Sequence, residues 1–252
     1  MIKKLIFPAL LLTLILGACE KSDSGLSSSE GSGKTGSGGS MAKFTFSGNY
    51  LYVVDGRILN VYDVSSASET VLKNRIDLEN SGVETIFSNG SNLFFGTQTG
   101  MLIFGLSNPE KPNYISTYSH IMSCDPVVVS GNLAYVTLST GNTCARGMNQ
   151  LEVIDISDLS NPQLMAAYAF GNPKGLAVAG NYLYLCDARD GFRVLDISDP
   201  NDVKVKSTLV TLLANDVIAK GNRLTITAAD GVYQYDCSDP LNLKFISKIE
   251  AQ

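Results

Sequence analysis

The chain has 252 residues, five cysteines, one histidine, no tryptophan and a formal charge of -5 at pH 7. That length supports one sizeable core; a lone histidine excludes a multi-histidine metal centre, and the acidic balance gives no electrostatic drive toward nucleic acid. Only 17% of residues are charged, against roughly a quarter in soluble domains, and 23 glycines with 11 tyrosines and 10 phenylalanines point to short strands joined by tight turns.

Residues 1–18 read as an export signal: Lys3 and Lys4, then an apolar run from Leu5 to Leu16 too short to span a bilayer comfortably. Leu16-Gly17-Ala18-Cys19 resembles the lipobox of bacterial lipoproteins. The resemblance implies cleavage before Cys19, lipid on its thiol and an acylated amine. Glu20 in place of aspartate implies sorting to the outer membrane, facing the periplasm or the surface. An ordinary secretion signal with an incidental cysteine is the alternative. Residues 19–41 are the lipidated cysteine and a flexible serine- and glycine-rich spacer. Gly33-Lys34-Thr35 mimics the end of a phosphate loop but lacks the upstream glycine and the preceding strand.

From residue 42 to 252 the chain repeats itself. A short turn feeding an apolar or aromatic pair recurs at Gly48, Gly90, Gly131, Gly180 and Gly221, at spacings of 42, 41, 49 and 41. Periods of forty-odd residues with short strands predict propeller blades. The fourth unit shows the plan: strands at 175–179, 182–186, 192–197 and 203–209, with hairpins at Gly180-Asn181 and Asp190-Gly191. Third strands close on an aspartate and a serine, as in Asp63-Val64-Ser65, Asp155-Ile156-Ser157, Asp196-Ile197-Ser198 and Asp236-Cys237-Ser238. These acids are turn acceptors rather than catalytic groups. The expected fold is all-β, a five-bladed β-propeller of four-stranded antiparallel blades, closed by packing blade one on blade five. An open stack would expose two blade faces.

The segments Gly191-Phe192-Arg193-Val194-Leu195-Asp196-Ile197-Ser198-Asp199-Pro200 and Asp125-Pro126-Val127-Val128-Val129-Ser130-Gly131-Asn132-Leu133-Ala134-Tyr135-Val136 resemble the LVIVD repeat family, and within it lipoproteins of the Bacteroidota. The resemblance implies a propeller and transfers no catalytic residues.

Blade three carries an insertion at 139–150, with Cys144 inside it and Cys124 before the blade's first strand. Both fall at one rim, and export makes a Cys124–Cys144 disulfide the expected pairing, with free thiols or metal ligation as alternatives. Cys186 and Cys237 are expected to be buried small residues.

The same rim gathers the candidate binding residues. Glu84, Asp125, Lys174 and Asp216 lie near the starts of first strands, and Arg146, Asn149, Asp187, Arg189 and Asp230 lie on the adjoining side. His120 is expected to be an ordinary hydrogen-bonding group. No catalytic residue and no metal ligand set is assigned. The leading expectation is a noncatalytic, membrane-tethered binding or scaffolding module, monomeric, meeting an envelope protein, peptide or glycan, with no cofactor. One alternative is a hydrolase or lyase in which the rim acids hold a divalent cation; another is a structural protein of the cell envelope.

Overall fold

The computed structural model describes residues 39–79, 82–119, 126–140 and 148–251. The leader, Cys19, most of the spacer, His120, Cys124, Asp125, Cys144 and Arg146 lie outside these residues, and with them the lipid attachment and the Cys124–Cys144 pairing.

Among the described residues, twenty strands form five four-stranded antiparallel sheets, each meandering in chain order from first to fourth strand. The blades span 44–77, 83–119, 127–169, 173–209 and 214–250. This is the five-bladed propeller of four-stranded blades expected from the repeat. The tight turns explain the spacing: Gly48, Gly56, Gly131, Gly180 and Gly221 all sit at φ between 56° and 59°, a region that costs other residues free energy. The third-strand acids do what their position suggested. Asp63, Asp155, Asp196 and Asp236 accept the backbone N–H of Ser65, Ser157, Ser198 and Ser238 at 2.9, 2.8, 3.1 and 2.8 Å, and hydrogen bonding to the serine lowers each carboxyl pKa, that of Asp196 to about 2. The outer strand of blade one is Val71–Asp77, and the proline-free link before it is as long as the proline-bearing links of the other blades.

One device has no plain sequence signal. Every blade shifts register between third and fourth strands at the same place: Val61/Tyr62, Ile103/Phe104, Val153/Ile154, Val194/Leu195 and Gln234/Tyr235. A bulge adds local twist, which turns each outer strand relative to the inner three.

The core lies between blades, in four apolar layers that join blade one to two, two to three, three to four and four to five. In each layer a forward-facing set from one blade meets a backward-facing set from the next. The forward sets are Tyr52, Val54, Leu59 and Val61 in blade one; Phe94, Met101 and Ile103 in blade two; Tyr135, Leu151 and Val153 in blade three; Tyr184, Cys186, Phe192 and Val194 in blade four. The equivalent positions of blade five carry Thr225, Thr227, Val232 and Gln234. Backward sets such as Leu93, Phe95, Phe104 and Leu106 have blade-one equivalents in Leu51, Val53, Tyr62 and Val64, which belong to none of the four cores. Blades two to four are therefore buried on both faces, while the middle strands of blades one and five alternate between buried and partly exposed positions. The expected closure by a core between blades five and one does not form among the described residues. The last forward face is polar, as in the capping repeat of a solenoid, and cannot replace water around an apolar partner face. Cys186 and Cys237 are buried free thiols within the layer joining blades four and five, as expected, and burial pushes both thiols up.

Candidate functional site

At the rim where first strands begin, a cavity of about 610 Å³ is lined by residues of blades one to four. First strands bring Glu84, Thr85 and Lys174 to it, and the residues just before first strands bring Lys43 and Pro126; hairpins between second and third strands bring Arg57, Gln98 and Ser139. The Glu84 carboxylate accepts from Gln98 Nε2 at 3.2 Å. Lys174 Nζ donates to Asn215 Oδ1 at 3.3 Å, and the Lys174 carbonyl accepts from Thr137 Oγ1 at 2.6 Å, fixing that strand's height. Arg57 pairs with Asp77 at 2.8 Å across exposed surface. With Arg57 paired to Asp77, Lys43 and Lys174 against Glu84 leave the described lining a small excess of positive charge, a setting that favours anions.

Of the predicted rim residues among the described ones, the fold brings Glu84 and Lys174 into this cavity and leaves the others out of it. Asn149 instead ties blade three to blade four: its Oδ1 accepts from Thr140 N at 2.8 Å and its Nδ2 donates to Gly171 O at 2.8 Å. Asp187 is 0% exposed. It accepts from the N–H groups of Gly171, Asn172, Arg189 and Asp190 at 3.0, 2.9, 3.0 and 3.2 Å, and Arg193 Nη2 lies 3.6 Å away. Arg189 is exposed and reaches only Asp190, at 3.8 Å. Asp230 accepts from Tyr233 OH at 2.6 Å and Lys248 Nζ at 2.9 Å on the outer part of blade five.

Asp216 sits beside the mouth, beneath residues 39–41. Its Oδ1 accepts from Ser40 Oγ at 3.1 Å and Val217 N at 2.9 Å, and its Oδ2 from Met41 N at 3.4 Å. Burial raises its pKa above 3.8, opposed by these hydrogen bonds. A carboxyl whose folded pKa is raised stabilises the fold most below its unfolded pKa, and that contribution is lost as pH rises through the folded value. Asp216→Asn keeps an acceptor for Ser40 and Val217 but cannot ionise. Relative to the parent, the variant is expected to gain thermal stability between pH 4 and pH 7, measured by scanning calorimetry; a constant offset across that range would refute the burial argument.

Lys43, Arg57 and Gln98 escaped the sequence reading. Lys43 had a usable signal, because it lies in the same place before the Gly48 turn as Thr85 before Gly90 and the candidate Asp216 before Gly221. Arg57 and Gln98 sit in two-residue hairpins whose side-chain direction the repeat alone does not set.

A mouth with a polar cavity at the strand starts defines the class: a β-propeller with an axial rim site. The LVIVD repeat pattern matches residues 38–77, 123–169 and 170–211, about half of the chain, and the chain belongs to this repeat family. No curated protein matches the sequence. Among solved structures, a protein from Bacteroides fragilis assigned as a 6-phosphogluconolactonase aligns with TM-score 0.62 and 12% identity, over 83% of this chain and 70% of its own. The periplasmic gluconolactonase of Pseudomonas aeruginosa aligns with TM-score 0.63 and 11% identity, over 81% of this chain and 67% of its own. The computationally designed Ika8 protein aligns with TM-score 0.59 and 15% identity, over 83% of this chain and 61% of its own, so this chain spans under two thirds of that one. At these identities the likeness is one of fold. It nonetheless corrects the expectation of a noncatalytic binding or scaffolding module and of a structural envelope protein: lactonases are among the proteins that share the architecture.

Proposed function

We propose that this chain is an exported hydrolase that opens small anionic lactones at the propeller mouth. The observation that carries the reading is the 610 Å³ cavity with Lys43, Arg57 and Lys174 around the single described carboxylate of Glu84, on a fold shared with lactonases. Lys174 binds the anionic group of the substrate, and Lys43 stabilises charge developing on the carbonyl oxygen. Glu84, held by Gln98, takes a proton from water as the water oxygen bonds to the carbonyl carbon. The ring C–O bond then breaks, the ring oxygen takes up the proton, and a hydroxy acid leaves. The described rim acids do not fit a shared divalent cation. Asp187 is filled by four backbone N–H groups, Asp230 by Tyr233 and Lys248, and Asp216 by Ser40, Met41 and Val217, so no step is routed through a metal. The reading includes lipid attachment at Cys19 and an extracytoplasmic, outer-membrane placement, supported by the lipobox-like leader and by a fold relative that is itself periplasmic.

The test is ring opening followed by pH-stat with the full chain, on δ-gluconolactone and on its 6-phosphorylated form. Opening faster than the buffer rate is expected, with kcat/KM at least about 10-fold higher for the charged substrate; Lys174→Met is expected to raise KM for that substrate alone, by removing binding common to ground and transition states. Rates equal to buffer for both lactones, with and without added divalent cations, would overturn the proposal.

A further inference from the structure

The end faces of the propeller do not match, yet the first and last blades are joined. Among the described residues, the hydrogen bonds that join the blade-one end to blades four and five all run through residues 39–42. Ser40 is 2% exposed. Its Oγ donates to Asp216 of blade five at 3.1 Å and accepts from Leu176 N of blade four at 2.7 Å. Met41 N donates to Asp216 at 3.4 Å, and Ala42 O accepts from Ile86 N of blade two at 2.9 Å. Glycine is required on both sides of the carboxylate: a Cβ on Gly39 would lie 2.0 Å from Asp216 Oδ2, and one on Gly175 would lie 2.1 Å from Oδ1. The strap thus crosses the inner ends of blades two, four and five immediately before the chain enters blade one.

We propose that residues 39–42 are the latch of this propeller, a polar strap across the axis that does the work usually done by packing the last blade on the first. The reason is the mismatch of faces. Thr225, Thr227 and Gln234 leave Val232 as the one wholly apolar side chain of that face to set against Leu51, Val53 and Tyr62, so closure there gains little from desolvation, whereas Ser40 and Asp216 supply buried, directional hydrogen bonds. Met41 also lines the mouth cavity, so the latch forms part of the wall of the site. Because blades one to five are otherwise held by four independent layers, releasing the strap frees the two terminal blades from each other without unfolding the middle three.

The experiment is hydrogen exchange on the full chain, read blade by blade, for Ser40→Ala and Gly39→Val, with Asp216→Asn as the variant that keeps the Ser40 and Val217 acceptor. For the first two variants, exchange is expected to accelerate at least about 10-fold in the inner strands of blades one and five, with blades two to four unchanged apart from the Leu176 amide that Ser40 serves, while Asp216→Asn exchanges no faster than the parent; small-angle scattering should show an enlarged radius of gyration for Gly39→Val. Acceleration confined to residues 39–42 and Asp216 would reduce the strap to a local contact and overturn the proposal. So would equal acceleration in all five blades, which would show one cooperative unit rather than a latched arc. These readouts do not involve lactone hydrolysis, so the latch and the proposed activity stand or fall separately.

Discussion

Asp187→Ala is expected to cost about 3–5 kcal/mol of unfolding free energy, the range for breaking a buried ionic network by removing one partner. The carboxylate is fully buried and serves four backbone N–H groups, those of Gly171 and Asn172 at the start of blade four and of Arg189 and Asp190 in its second hairpin. Removing it leaves those donors without their acceptor, and each unsatisfied buried donor is costly. It also leaves Arg193, whose Nε already has no partner, with Asp190 at 2.8 Å and the ring of Phe170 at 5.3 Å as its remaining company. Asp187→Asn is expected to lose less, because one amide oxygen still accepts where Oδ1 served three N–H groups. Urea denaturation of parent and both variants is the check; a loss for Asp187→Ala below about 1 kcal/mol, the usual scale of one neutral hydrogen bond, would show that water satisfies the hub.

Glu84→Gln is expected to lower kcat for lactone opening between about 100- and 10,000-fold, the usual contribution of a positioned general base, with KM little changed. The substitution keeps the shape of the side chain and a hydrogen-bonding group toward Gln98 and removes the proton acceptor. Initial rates on the 6-phosphorylated lactone, together with the melting temperature of the variant, separate chemistry from stability. A variant that keeps more than half of the parent kcat would remove Glu84 from the reaction and move the base elsewhere on the rim.

Much of the fold was legible because its determinants are local. Gly-Asn and Asp-Gly turns need positive φ, and the strands between them keep their phase, so blade four runs in the structure from Pro173 to Leu209 with each strand boundary within two residues of its expected place. The Asp-x-Ser motif was read correctly as a turn acceptor for the same reason, since donor and acceptor are two residues apart. Asp187 was misread as a rim residue although it belongs to the same chemical class. Two of its four donors come from Gly171 and Asn172, and nothing near Asp187 in sequence announces where that chain segment passes. Lys43 shares the repeat phase of Asp216 at the start of a first strand, but that phase alone does not say which of these side chains share a cavity.

The sequence by itself determined the number of blades, their order, their turns and the rim at which first strands begin, because alternation and turn chemistry act over two to six residues. Only the tertiary structure decided which rim side chains share a cavity and how the ends are joined. Ser40 and Asp216 are separated by 176 positions, and their meeting depends on the accumulated rotation of four apolar layers. No periodicity in the chain encodes that angle; it follows from how the side chains of neighbouring sheets interlock.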